Sequence, residues 1–579
     1  MLKRDTQNKE THVYHNTASS HYGLIIFLCT DGTVAKQVIL TQCSISQKMG
    51  DSRKTVAVIG CGVSGLAAVK CCLDEGLQPT CFERSDDLGG LWNYRENSKH
   101  EVTTSVYRST TTNTSKESMS FSDFLFPDEW PNFLHNSYMK RYLDMYADKF
   151  GLKKHIRFST RVTRLAQAPD YESTGRWVVT TQAEGAARQT SQEFDTVMIC
   201  TGMLNNPNIP EFPGLEGFQG KIFHSQAFRR PEEFEGKRVV VVGIGDSAAD
   251  AATDISRQAS QVYLSTKRGA WITSRIGDYG MPWDLQFFRR WYGIPASLFL
   301  NLYTKSLKRQ FEMFYHSLMP AHSLTACDPL ITEDLPGCIF NGTVIIKANI
   351  ASFTKTGVVF EDGTTEEDIA AVILATGYKD TLPLEVDDCQ SLQIKDGRLP
   401  LYKLVFPLGL KHNTLSLNGA IRPLGAVIPC IELQARWATR VFKGLAELPS
   451  QPDMEAEVKA TDEAMKLEFL PNHRHIDPQA YCINLASEIG VEPNFLKLFF
   501  TDPVLTLRCL FGPLVPYQFR LVGPGKNGEA RKAINTVWDR VLKPMKTRPI
   551  GPKEEASHHV IVIAICVSVF VVVAAWLLI

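Results

Sequence analysis

From Thr55 to Glu83 the chain reads TVAVIGCGVSGLAAVKCCLDEGLQPTCFE: a β-branched run, a glycine turn, a helical stretch and a second apolar run, in that order. Each part has a task in holding a dinucleotide. Gly60 permits the tight turn, Gly62 lets backbone approach a pyrophosphate, and Gly65 lets helix and strand pack closely. Cys61, Val63 and Ser64 complete the turn, and the unpaired N–H groups that open the helix face the phosphates. Glu83 falls where a carboxylate accepts from a ribose 2′-hydroxyl, so the nucleotide expected here lacks a 2′-phosphate. That suits FAD or NAD and argues against NADP.

The design recurs once, over residues 239–268, VVVVGIGDSAADAATDISRQASQVYLSTKR. Gly243 and Gly245 match Gly60 and Gly62, and Ala248 stands in for the third glycine, a change the fingerprint permits. Ser247, Ala249 and Asp250 open the following helix. Glu83 lies 23 residues after Gly60, and the same offset from Gly243 falls on Thr266, followed by Lys267 and Arg268. An acid there would repel a 2′-phosphate, whereas two cations pair with it. The second unit is therefore expected to take NADPH.

The chain has 579 residues, 44% hydrophobic and 21% charged, enough for two to four domains of ordinary globular composition. Lys plus Arg equals Asp plus Glu at 62 each, so no basic field points to nucleic acid. Fourteen cysteines occur without a CxxC or CxxxxC pair, which reads as buried thiols in a reducing compartment, with no disulfide framework and no metal site. The missing cysteine pair also closes the route from a reduced flavin to a disulfide. Electrons are left with oxygen or a protein partner.

In order along the chain, residues 1–48 form a polar leader without signal-peptide logic, and Met49 is read as the functional start. Residues 54–206 make the first part of an FAD-binding domain. There the loop Asp86–Trp92 brings Leu91 and Trp92 along the cofactor, and the polar run Ser109–Lys116 reads on residue type as a solvated loop. A helix is expected over Ser137–Phe150, with strands over Arg157–Ala166, Trp177–Thr181 and Phe194–Thr201. Asn205–Gly214, rich in Pro, Asn and Gly, is a crossing loop into an NADPH-binding domain, residues 207–370, with an aromatic and basic helical insertion at about 280–340. Within that domain Val344–Phe360 looks like a strand pair. The apolar strand Ile369–Tyr378 echoes Cys200–Gly202 and marks the return to the FAD domain, residues 371–550. Val560–Ile579 is uncharged and free of proline, long enough as a helix to cover about 30 Å, and reads as a transmembrane tail anchor in membrane lipid. The expected class is thus α/β: two Rossmann-like dinucleotide-binding domains, for FAD and NADPH, a helical insertion and a C-terminal transmembrane helix.

The motifs GCGVSG (Gly60–Gly65), GGLW (Gly89–Trp92), NTSKE (Asn113–Glu117), FxGxxxHxxxF (Phe218–Phe228), STKRGAW (Ser265–Trp271) and ATGY (Ala375–Tyr378) together resemble the vertebrate flavin-containing monooxygenases, from Lys54 to the end. The stretch Gly425–Leu448 looks most like isoform 5 of that family. The resemblance implies that NADPH reduces FAD, that molecular oxygen adds at flavin C4a, and that the hydroperoxide, sheltered by retained NADP⁺, oxygenates an amine or sulfur compound or inserts oxygen beside a ketone. It implies Asn113 as the flavin-proximal catalytic residue, Thr112 and Asn113 facing NADP, Asn113 and Thr114 touching FAD, and Ser247–Asp250 along the NADP pyrophosphate. His224 and Phe228 take a structural role near the domain junction. The endoplasmic reticulum membrane, with the catalytic part facing the cytosol, is the implied location, and a homo-oligomer is left open.

One departure stands in the second glycine turn, where the family usually carries Asn and this chain has Asp246. A carboxylate beside a pyrophosphate is repulsive unless protonated or paired. Weaker NADP⁺ retention and more leakage to hydrogen peroxide are expected, with Asp246→Asn tightening NADPH binding and improving coupling. Two alternatives stay open: an NADPH oxidase that releases hydrogen peroxide, and a degenerate membrane-bound binding protein.

Overall fold

The computed structural model describes residues 53–96, 104–291, 296–314, 316–320, 322–379, 381–387, 390–392, 399–468 and 476–549. The leader 1–48, Met49 and the segment 560–579 read as a tail anchor lie outside the described residues. Among those described, no helix is long and apolar enough to cross a membrane.

Strand β1 (Thr55–Ile59) passes through the first glycine turn into α1 (Val63–Asp74) and back to β2 (Gln78–Phe82). Helix α2 (Asn136–Lys149), capped by the His135 side chain accepting from the Ser137 N–H, brings in β3 (Ile156–Arg157), and β4 (Thr196–Ile199) follows. The chain then builds β5 (Lys221–His224), β6 (Arg238–Val242), α3 (Asp246–Ser256), β7 (Gln261–Ser265), β8 (Val344–Lys347) and β9 (Ile369–Leu374). It returns through β10 (Leu415–Leu417) to α4 (Val427–Lys443), which ends where Gly444 turns left-handed at φ 78°.

Two five-stranded sheets result, in the orders β10-β4-β1-β2-β3 and β8-β7-β6-β9-β5. Every neighbouring pair in both is parallel. Their central strands are covered on both faces: no residue of Val56–Ile59 or Val239–Val242 is more than 5% exposed. A parallel strand buried on both faces has no solvent side to mark, so both read as unbroken apolar runs.

Three expectations are corrected. Strand β9 runs to Leu374 between β6 and β5, so the second sheet extends past the expected domain division at 370. The expected strand pair over Val344–Phe360 divides: β8 joins β7 in the parallel sheet, while Ile350–Phe353 and Val358–Phe360 form an antiparallel hairpin. β-branched residues suit either sheet, and the Thr354–Gly357 turn places the bend after β8 has closed its ladder. The polar run is no solvated loop at its end, since Ser115, Lys116 and Glu117 are buried.

The outgoing and returning passages meet. Asn206–Pro207 pairs antiparallel with Tyr378–Lys379. At the end of β5 the His224 Nε2 lies 2.9 Å from the Gly377 carbonyl oxygen, and its ring meets Tyr378 edge-on. His224 thereby fastens the second sheet to the crossing.

Candidate functional site

Gly60 sits at φ +98°, and a Cβ there would come within 2.7 Å of the Cys200 carbonyl oxygen. Gly243 repeats this at φ +119°, with the Ala375 oxygen 2.3 Å from a Cβ. Each turn thus presses on the carbonyl just past the neighbouring strand, which explains why Cys200–Gly202 and Ala375–Gly377 echo one another. A Cβ on Gly65 would fall 1.9 Å from the Gly60 oxygen, so this glycine serves helix–strand packing. Gly245 is different: a Cβ there meets no protein atom within 4 Å. Protein packing does not require that glycine. It leaves bare backbone toward the cleft, a cradle that suits a pyrophosphate.

Both turns open on one cavity of about 1490 Å³, lined by Gly60, Cys61, Gly62, Val63, Ser64, Glu83, Leu91 and Trp92 from the first sheet's side and by Gly243, Gly245, Ser247, Ala248, Lys267 and Arg268 from the second. Pockets for single small ligands run to about 1,000 Å³, so this one has room for more than one such molecule. Lys267 and Arg268 are exposed on its wall. Glu83 is buried, with one oxygen accepting from the Cys61 N–H at 2.7 Å and the other from the Ser85 N–H and hydroxyl at 2.9 and 2.8 Å. A carboxylate has about four acceptor positions, which leaves one on the Cys61 side for a ribose hydroxyl.

Six of the expected contacts do not line this cavity. Gly65 and Ala249 are packed inside the sheet-and-helix layers. Thr112 is buried, its hydroxyl donating to the Thr114 carbonyl and accepting from the Leu134 N–H, and Thr114 turns its own hydroxyl to Met119 Sδ. Asp250 accepts from the Tyr107 hydroxyl. Asn113 reaches the cleft through a neighbour: its Nδ2 donates to Asp246 Oδ2 at 2.9 Å, and Asp246 is on the cavity wall.

Around Asn113 stands a set of residues that local sequence patterns did not mark. Arg275 Nη2 donates to Asn113 Oδ1 at 2.7 Å, while Arg275 Nη1 pairs with Glu333 at 2.5 Å. The second oxygen of Asp246, Oδ1, accepts from the Ile331 N–H at 3.3 Å. Asp246 keeps an exposed face on the cleft, and the protein packed around it, by desolvation, pushes its carboxyl up to about 7, with Asp250 and Asp328 adding to the rise and the Ile331 N–H and Arg275 opposing it. Burial also raises Asp250 and lowers His224. Among the described residues nine cysteines other than Cys327 are free thiols, eight of them buried.

Two parallel sheets, each with a glycine turn that opens on one shared cleft, are the architecture of an oxidoreductase that holds two dinucleotides. Residues 53–579 match the model of the flavin-binding monooxygenase-like family, and the chain belongs to that family. It is similar to flavin-containing monooxygenase 5 of Rattus norvegicus, 46% identical over 528 residues that cover 90% of this chain and 98% of the relative. The S-allyl-L-cysteine S-oxygenase of Allium sativum shares the fold, with a TM-score of 0.59 at 23% identity, over 84% of this chain and 99% of that one. So does OTEMO, solved in complex with FAD and NADP, at a TM-score of 0.57 and 18% identity over 75% and 98%. The chain is a flavin-containing monooxygenase, and FAD and NADPH are its cofactors.

Proposed function

We propose that this enzyme consumes NADPH and molecular oxygen to oxygenate small soft nucleophiles, amines or sulfur compounds, or to insert oxygen beside a ketone. The observation that carries this reading is the single cleft onto which both glycine turns open, with Glu83 at the end of one unit and Lys267 and Arg268 at the end of the other. Bound FAD, reduced by NADPH, supplies the activation of oxygen. The protein's part is to position and to exclude water. Gly62 and the N–H groups opening α1 take the FAD pyrophosphate, and Glu83 takes its ribose. Gly245 and the start of α3 take the NADP pyrophosphate and Lys267 and Arg268 the 2′-phosphate, while Asn113 acts on the cleft through its hydrogen bond to Asp246. A second, mainly apolar cavity of about 320 Å³ shares Thr201, Gly202, Met203, Ile421 and Arg422 with the first and is of a size for a small substrate.

The test begins with NADPH added anaerobically to the FAD-loaded enzyme, followed by oxygen with and without an amine, a sulfide or a ketone. Bleaching of the flavin, and then more oxygenated product than hydrogen peroxide per NADPH, is expected. Peroxide matching NADPH with every substrate would leave an oxidase, and a flavin that NADPH fails to bleach would leave a binding protein. Attachment to the endoplasmic reticulum membrane through Val560–Ile579, with the cleft in the cytosol, belongs to the same proposal, supported by that uncharged twenty-residue run. Deleting residues 560–579 should move the protein from the membrane fraction to the supernatant.

A further inference from the structure

The hydrogen bonds through Asn113 have a direction. Arg275 has donors only, so the Asn113 atom facing it at 2.7 Å is the oxygen; the nitrogen is left for Asp246 at 2.9 Å. Asp246 also faces the Ile331 N–H at 3.3 Å, so donors reach it from both sides. An ionised carboxylate accepts on both sides. An asparagine in its place accepts on one side only and must aim its own N–H at the Ile331 N–H or at the Asn113 amide nitrogen. If Asn113 flips to relieve this, its nitrogen meets Arg275. No assignment of an asparagine at 246 satisfies every donor.

We propose that Asp246 is a positioning residue for Asn113, holding the amide in one orientation behind the cleft wall, and that its ionisation makes NADP⁺ retention depend on pH. This rests on the proposed function, specifically on NADP binding at the second glycine turn. The side chain lies on the cavity wall next to Gly245, where the pyrophosphate is placed, so its negative charge opposes binding while its geometry serves Asn113. The groups facing it are Asp250 on its own helix, Asp328, Arg275 and Tyr107. Its carboxyl is pushed up to about 7, so it gains charge across the neutral range. One residue thus couples two opposed effects. Removing the carboxylate is expected to tighten NADP⁺ and to loosen Asn113, which reverses the expectation of better coupling drawn from charge alone.

The experiment compares the full-length, FAD-loaded wild type with Asp246→Asn, measuring NADP⁺ affinity by calorimetry from about pH 6 to about pH 8, and hydrogen peroxide formed per NADPH. If only the neutral form of Asp246 binds NADP⁺ well, the wild-type Kd rises roughly tenfold over that range relative to the variant, since the competent fraction falls tenfold. Any titration of the 2′-phosphate is common to both proteins and cancels in the ratio. The variant is also expected to release several-fold more peroxide per NADPH. Parallel pH profiles, or unchanged or lower peroxide in the variant, would overturn the role given to Asp246 and leave the proposed function intact. A wild type that binds no NADP⁺ at any pH would overturn both. Should Asp246→Asn fold poorly, the exchanged pair Asn113→Asp with Asp246→Asn preserves every donor and acceptor. It should fold, lose the wild-type pH dependence contributed at 246, and remain uncoupled because a carboxylate now stands at 113; a coupled exchange variant would overturn the inference.

Discussion

Glu83 accepts from the Cys61 N–H, the Ser85 N–H and the Ser85 hydroxyl at once, so it fixes the glycine turn before any ribose arrives. Replacing it with Gln puts an N–H₂ opposite one of those backbone donors in a buried place. The expected cost is about 1–3 kcal/mol of unfolding free energy, read from a lowered urea midpoint, together with faster loss of FAD on dilution. A Glu83→Gln protein that keeps its flavin as the wild type does would confine the residue to the turn. His224 offers a pH test. Burial lowers its folded pKa below the ordinary value, so the folded state resists its protonation. Stability is therefore complete above about pH 6.5 and falls as pH drops through that ordinary value toward the lowered one. His224→Gln should be less stable at neutral pH and should flatten that acid limb. An unchanged limb in melting curves would assign the loss to other groups.

At the scale of the element, the two glycines of one turn separate folding from binding. Gly243 is left-handed and pressed on a backbone carbonyl, so Gly243→Ala should cost on the order of 3 kcal/mol or more and fail to accumulate as folded protein. Gly245 is at φ −84° with open space beyond its Cβ position. Gly245→Ala should melt within a degree or so of wild type and yet raise the NADPH KM about tenfold or more, because the methyl enters the cradle. Equal melting losses for both would show that the cleft plays no part at Gly245. Both turns were legible in the sequence because each strand–turn–helix unit is local and every one of its constraints lies within about thirty residues. The Asn113 network was not, since Arg275 and Asp246 meet it from 162 and 133 residues away with no shared periodicity. The buried end of the polar run was illegible for the same reason. Ser, Lys and Glu read as solvent-facing until partners elsewhere in the chain are known. The boundary at 370 failed because an apolar strand does not announce which of two parallel sheets it joins.

Those partners come from the far end of the molecule. Lys116 and Glu117, three and four positions after Asn113, have fully buried side chains 2.9 Å apart. Arg540 Nε donates to both Glu117 oxygens at 3.1 and 3.0 Å, Tyr517 adds its hydroxyl at 3.1 Å, and Lys116 donates to the Arg540 carbonyl at 3.1 Å. On the other side Asp284, from the helix Trp283–Phe287 of the insertion, accepts from the Ser115 N–H and hydroxyl at 2.9 Å each. The segment that carries Asn113 is therefore clamped between the insertion and the C-terminal region. Removing one partner of a buried ion cluster leaves the others unpaired, so Glu117→Gln should lower stability by roughly 3–5 kcal/mol. The triple change Lys116→Met, Glu117→Leu and Arg540→Met removes the buried charges together, leaves the part-exposed Asp128 to Lys543, and should recover most of that loss. If the clamp also sets Asn113, the triple variant, stable as it is, will release more peroxide per NADPH than wild type at the same temperature. Wild-type coupling in a stable triple variant would reduce the cluster to a fastening of the fold, with Asn113 held by Asp246 and Arg275 alone.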